Sequence, residues 1–195
     1  MRLFIALDID DAIRRRIQRF MEGVSAFAPD ARWVRPESLH ITLKFIGEKP
    51  IEIVEEIKHG LSGIRAEPFD IAFRGYGFFP TAKAARVFWV GIESGPQLHR
   101  LVKSVDEATF ALGIPKEDHP FAPHLTLARG GRRTGVTRWN KGDTPNKNFQ
   151  RLQEKLAALP TSDFGTMAAH EFFLYQSQLS QGGSRYTKIA SFSSK

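Results

Sequence analysis

The tetrapeptide His40-Ile41-Thr42-Leu43 returns 84 residues later as His124-Leu125-Thr126-Leu127. A single His-apolar-Thr-apolar string is cheap, but two in 195 residues constrain the fold. In a strand, successive side chains point to opposite faces. His40 and Thr42 therefore share one face, and Ile41 and Leu43 anchor the other. His124 and Thr126 stand in the same relation to Leu125 and Leu127. Two such strands side by side make a cleft holding two imidazoles and two hydroxyls, which is equipment for acid–base work on a phosphate.

The rest of the chain repeats with the motif. A shift of 84 places Arg2-Leu3-Phe4-Ile5-Ala6 on Arg86-Val87-Phe88-Trp89-Val90 without a gap, and both read as strands. Helical spacing follows each. Ile13, Ile17, Phe20 and Met21 carry it in the first half; Leu98, Leu101, Val105 and Ala108 carry it in the second. Further helices are predicted over 51–64 and 149–159, closing strands over 69–79 and 170–179, and a last strand over 186–192. The order strand–helix–motif strand–helix–strand thus occurs twice. The predicted fold is α+β: two pseudo-symmetric lobes, each a mainly antiparallel sheet with helices outside, the motif strands central and facing a cleft. The chain reads as one bilobal domain over 1–195, with repeats near 2–79 and 86–179.

The closing strands are offset by 100, since Asp70 aligns with His170, so the second half holds about 16 extra residues. They fall in the segment 129–151. It carries Arg129, Arg132, Arg133, Arg138, Lys141, Lys147 and Arg151 against one acid, Asp143, a local excess of +6 in a chain of net charge +7. Its Gly, Pro, Asn and Thr content marks a loop. A solvated loop is the plain reading of a charge run. Its place beside a phosphate-directed motif points to an arm that touches a polyanion through Arg132 and Arg133. The pI near 9.9 agrees with an anionic partner.

Other classes fall away. Hydrophobic content of 42% and charged content of 25% are those of a globular protein. With no cysteine, disulfides and thiolate metal sites are excluded, in keeping with a cytoplasmic setting. The first apolar run stops at Asp8 and Asp10 and reads as a strand, not a signal peptide. No apolar stretch approaches a membrane span. His119 lies five residues before His124, but Pro120 and Pro123 intervene and no carboxylate cluster accompanies them, so no metal is expected. The pairs Phe78-Phe79, Phe88-Trp89 and Phe172-Phe173 read as core, with one of them free to stack a base. No cofactor is expected, and a monomer is.

The residues themselves suit phosphodiester hydrolysis. One imidazole deprotonates water and the other protonates the departing oxygen, and an imidazole titrating near neutral pH serves either task. The Thr42 and Thr126 hydroxyls donate to non-bridging oxygens, where charge grows. Lys44 shares strand parity with His40 and is expected in the cleft. Arg129 has the opposite parity and reaches a phosphate only if its strand ends or bulges first.

These residues resemble the 2H phosphoesterase superfamily, defined by paired His-x-Thr-x motifs. The similarity extends through His40-Ile41-Thr42-Leu43-Lys44-Phe45-Ile46-Gly47-Glu48, Pro123-His124-Leu125-Thr126-Leu127-Ala128-Arg129 and Arg185-Tyr186-Thr187. It favours the branch of RNA 2′,3′-cyclic phosphodiesterases, also called 2′-5′ RNA ligases. The resemblance implies a bilobal fold and metal-independent opening of a 2′,3′-cyclic phosphate to a 2′-phosphomonoester. It also implies the reverse joining of a cyclic end to a 5′-hydroxyl. By the same analogy His40 is the proton donor and His124 the acceptor; near-symmetry in the sequence leaves that order open. Two other functions keep the cleft. One is hydrolysis of a small cyclic phosphate such as ADP-ribose cyclic phosphate. The other is a non-catalytic nucleotide- or RNA-binding module.

Overall fold

A continuous apolar run, Leu3 to Leu7, builds the first strand, β1 (Arg2–Asp8), and all five of its side chains are buried. The computed structural model describes residues 1–130, 149–160, 162–180 and 183–193. The basic positions Arg132, Arg133, Arg138, Lys141 and Lys147 lie outside the described residues.

After β1, Asp10 caps helix α1 (Asp11–Val24), its carboxylate accepting the Ile13 N–H at 2.8 Å. Ile13, Ile17, Met21 and Val24 form its buried stripe. A two-residue strand β2 (Arg32–Trp33) precedes the first motif strand, β3 (His40–Glu48). Then come α2 (Val54–Ser62), β4 (Phe69–Phe79), β5 (Val87–Ser94), α3 (Pro96–Phe110) and the second motif strand, β6 (His124–Arg129). The chain continues through α4 (Gln150–Ala157), β7 (Asp163–Ala169), β8 (Glu171–Ser180) and β9 (Gly183–Ser193). The fold is α+β, as expected, and each expected helix is found.

All strand pairings are antiparallel, in two sheets ordered β3-β1-β8-β9 and β2-β6-β5-β4-β7. The closing strands cross over. β4 ends the first sequence repeat but lies in the second sheet, and β8 ends the second repeat but lies in the first. Each sheet is therefore built from both repeats: β1 sits between β3 and β8, and β5 sits between β6 and β4. The motif strands are not central, which corrects the sequence expectation. Among the described residues β3 is an edge strand, and β6 is covered on its outer side only by the short β2. β3 contacts β6, which brings the two motif strands together across the sheets.

One core of buried residues runs through both sheets and all four helices. A second, smaller cluster forms on the other face of the first sheet, from Phe4, Ala6, Phe173 and Tyr175 with Tyr186 against it. That face carries the motif residues.

Candidate active site

Each motif strand begins as the alternation dictates. His40 and Thr42 are half-buried while Ile41 and Leu43 are buried; His124 and Thr126 are half-buried while Leu125 and Leu127 are buried. The parity then breaks in both strands at the same place. Thr42 pairs with Ala6 and Lys44 with Ile5, so Leu43 is an extra residue in the ladder. Likewise Thr126 pairs with Trp89 and Ala128 with Phe88, so Leu127 is extra. Such a bulge inserts one residue and re-aims every later side chain.

The bulges decide two expectations in opposite directions. Lys44 is turned onto the helix side, away from His40, and is only 2% exposed. There its ammonium pairs with Asp106 of α3 and donates to the Pro115 carbonyl at 2.8 Å. The parity argument that put Lys44 in the cleft is overturned. Arg129, beyond the second bulge, comes round to the face of His124 and Thr126. We expect Lys44→Ala to cost about 2–3 kcal/mol, since it strands the Asp106 carboxylate, which is partly solvated. Urea unfolding reads that loss, while turnover per folded molecule stays at the wild-type value.

Pairing also revises the internal repeat. Asp8 lies opposite His40 and Gly91 opposite His124, an offset of 83, not 84. A one-residue slip reverses faces. The ungapped match of Phe4 to Phe88 is therefore misleading: Phe4 lines the motif face and Phe88 is core. At the true equivalents, Asp8 meets Gly91 and Ala6 meets Trp89. No side chain fits at Gly91, where a Cβ would lie 2.4 Å from the Arg74 carbonyl oxygen.

The two imidazoles are held alike. His40 Nδ1 lies 2.7 Å from the Ser38 carbonyl oxygen, and His124 Nδ1 lies 2.8 Å from that of Ala122. A carbonyl only accepts, so Nδ1–H donates in both and Nε2 is left with its lone pair. Rings fix the rest. Phe4 packs on His40 at 4.8 Å and Tyr186 meets it edge-on at 5.1 Å. Phe79 meets His124 edge-on at 5.0 Å, with Trp89 beside both. Trp89 lies close over Gly77, where a Cβ would fall 2.2 Å from the indole.

Burial pushes the His40 imidazole down to about 4, the Ser38 carbonyl opposes this, and Arg129 and His124 lower it further. His124 is lowered by burial and then by Arg129. Both are neutral at pH 7 with Nε2 unprotonated. Arg129 acts on both imidazoles and His124 on His40, so the three groups lie near one another. Asp8 acts on His40 in the opposite sense. Burial raises the Asp8 carboxyl, but Lys188 at 2.5 Å and Arg14 at 2.6 Å outweigh it and keep Asp8 ionised. Loss of solvent lowers the Arg129 guanidinium, Tyr186 raises it, and Arg32 and Arg2 lower it again.

Next to His40 a cavity of about 410 Å³ is walled by Asp8, Ser38, Tyr175, Arg185 and Tyr186. Sites for small ligands span roughly 300–1,000 Å³. Asp8, Tyr186 and Tyr175 were not singled out from the sequence as site residues; the two tyrosines stood only within the strings Leu174-Tyr175-Gln176-Ser177 and Arg185-Tyr186-Thr187. Among the described residues no cluster of three or more His, Asp or Glu is arranged to hold a metal ion. No helix there is long and apolar enough to cross a membrane.

A two-sheet α+β scaffold presenting paired His-x-Thr strands at one cleft defines the class. A model of the LigT-like phosphoesterases matches residues 7–89 and again 90–186. An RNA 2′,3′-cyclic phosphodiesterase of Archaeoglobus fulgidus is 34% identical over 192 residues, 98% of this chain and 99% of that protein. A protein of the same name from Methanothermobacter thermautotrophicus is 31% identical over 98% of each chain. Among solved structures, TT0787 of Thermus thermophilus superposes with a TM-score of 0.76 at 28% identity, over 99% of this chain and 97% of that one. E. coli LigT complexed with 3′-AMP gives 0.76 at 26% identity over the same shares. The chain belongs to the LigT-like phosphoesterase family, within the 2H superfamily.

Proposed function

We propose that this protein hydrolyses 2′,3′-cyclic phosphate ends of RNA to 2′-phosphomonoesters without a metal, with His40 as acid and His124 as base. What carries the reading is the pair of half-buried His–Thr faces, each imidazole held through Nδ1 with Nε2 left free to act. The names of the relatives supply the substrate class.

In the reaction, His124 Nε2 takes a proton from water as the water oxygen bonds to phosphorus. The bond from phosphorus to the ribose O3′ breaks, and His40 Nε2–H delivers its proton to O3′. The product carries a 2′-phosphate and a 3′-hydroxyl. Thr42, Thr126 and Arg129 donate to the non-bridging oxygens. With a 5′-hydroxyl in place of water as the nucleophile, the same forward steps join two ends through a 2′-5′ linkage and leave a free 3′-hydroxyl.

His40 must gain a proton to act as acid, and two features supply it. The substrate anion offsets the charge of Arg129, and Asp8 across the strand favours imidazolium on His40. His124 faces Gly91 and has no such neighbour among the described residues, so the pseudo-symmetry breaks in favour of His40 as donor. Asp8→Asn should therefore move the limb at which activity is lost with rising pH to lower pH. A profile of kcat against pH reads the shift; an unmoved limb would deny Asp8 this role.

The reading is tested with a short RNA ending in a 2′,3′-cyclic phosphate, in excess EDTA. Persistent conversion to the 2′-phosphate is expected. Activity abolished by chelator and restored by Zn²⁺ or Mn²⁺ would refute the two-imidazole route. Turnover of ADP-ribose cyclic phosphate with none of RNA would favour the small-nucleotide alternative.

A further inference from the structure

We propose that Arg2 and Arg32 form a second phosphate subsite, beside the one at which the cyclic phosphate reacts. It takes the phosphate on the 5′ side of the terminal nucleoside. This rests on the cyclic-phosphate reading above and names a part of the substrate that the two motifs do not touch.

Three arginines from three strands converge on one mouth of the cleft. Arg32 of β2 pairs directly with Arg129 of β6, so the two guanidinium stems share a face. The neighbouring residue fixes which face: Trp33 packs on Phe88 in the core, so Arg32 points the other way, toward the cleft. Arg2 approaches from the opposite sheet. It has the parity of Phe4 and Ala6, which line the cleft face of β1. Both Arg2 and Arg32 act on the Arg129 charge.

Like charges directly across a ladder destabilise a sheet. Here no described residue relieves the repulsion through an ion pair. None of the described ion pairs includes Arg2, Arg32 or Arg129. The residue across from Arg2 is Glu48, and it pairs with the chain N-terminus instead. All three arginines are exposed, so their guanidinium groups are open to a ligand. Three unpaired guanidinium groups in one place call for more than one unit of negative charge. A cyclic phosphate diester carries a single negative charge, and Arg129 beside the two imidazoles answers it. Adjacent strands are about 4.8 Å apart. An arginine one strand over is placed to meet the next phosphate along.

Two sources share this chemistry: the backbone phosphate of an RNA, and a 5′-phosphate on a free nucleotide. The test compares kcat/KM for three probes: 2′,3′-cyclic AMP, the same nucleotide with a 5′-phosphate, and an adenosine dinucleotide ending in a 2′,3′-cyclic phosphate. Charge-assisted hydrogen bonds predict that wild type prefers a probe with the second phosphate by roughly tenfold to a hundredfold. In Arg2→Gln/Arg32→Gln that ratio should fall toward one. A preference for both phosphorylated probes means that the phosphate alone is read; a preference for the dinucleotide alone assigns the subsite to RNA. The subsite is overturned if wild type shows no preference, if the double variant keeps it, or if the three probes lose equally. Thermal melting confirms that the variant is folded. Failure of wild type to hydrolyse any of the three probes would instead refute the cyclic-phosphate reading.

Discussion

His40→Ala and His124→Ala each lower kcat on 2′,3′-cyclic AMP by ~10²–10⁴-fold, the usual contribution of a general acid or base. The effect is large for both because neither imidazole has a substitute. Each motif face supplies one nitrogen and one hydroxyl. Thr42→Ala or Thr126→Ala removes a single donor and costs less, about 10²-fold at most. Neither His variant should unfold the protein, because both rings are half-buried and their neighbours Phe4, Tyr186, Phe79 and Trp89 still pack on one another. Turnover near the wild-type rate in either variant would remove that histidine from the chemistry.

Arg129→Ala comes next in size, with kcat/KM falling by ~10²–10³-fold through loss of a charge-assisted donor at the phosphate. It also has a signature in pH. The Arg129 charge lowers both imidazoles. Removing it raises both, so both limbs of the pH–rate profile move to higher pH. Arg129→Lys keeps the charge but loses the planar fork. It should hold the limbs in place while leaving most of the rate loss. A kcat/KM unchanged in Arg129→Ala would place this residue outside the phosphate site, whatever its face.

The faces of the motif strands were legible in the sequence because strand period is strict and apolar residues behind His40 and His124 declare it. So were all four helices, whose apolar spacing is long and regular. What failed was everything past a local break in that period. The bulges at Leu43 and Leu127 leave no mark in composition, yet they send Lys44 behind the sheet and bring Arg129 to the front. The repeat looked exact at 84 because Phe4 and Phe88 match in kind; only strand pairing shows that they face opposite ways. β2 is two residues long, and β7 holds Gly165 at φ +101°, which weakens its reading as a strand. The crossing of β4 and β8 between sheets is a long-range choice with no local signal. Asp8 reaches His40 through the pairing of β1 with β3, and Tyr186 through β9, which pairs with β8, so neither stood out in a linear reading.

In the proposed mechanism the two pseudo-equivalent imidazoles divide the proton work between them. The most direct test is kcat against pH for wild type, His40→Ala and His124→Ala on one 2′,3′-cyclic nucleotide in EDTA. Wild type should give a bell. His124→Ala should lose the limb that rises with pH, since the base is gone. His40→Ala should lose the limb that falls, since the acid is gone. Two variants that retain the full bell at reduced height would contradict the account, because neither histidine would then be a proton carrier.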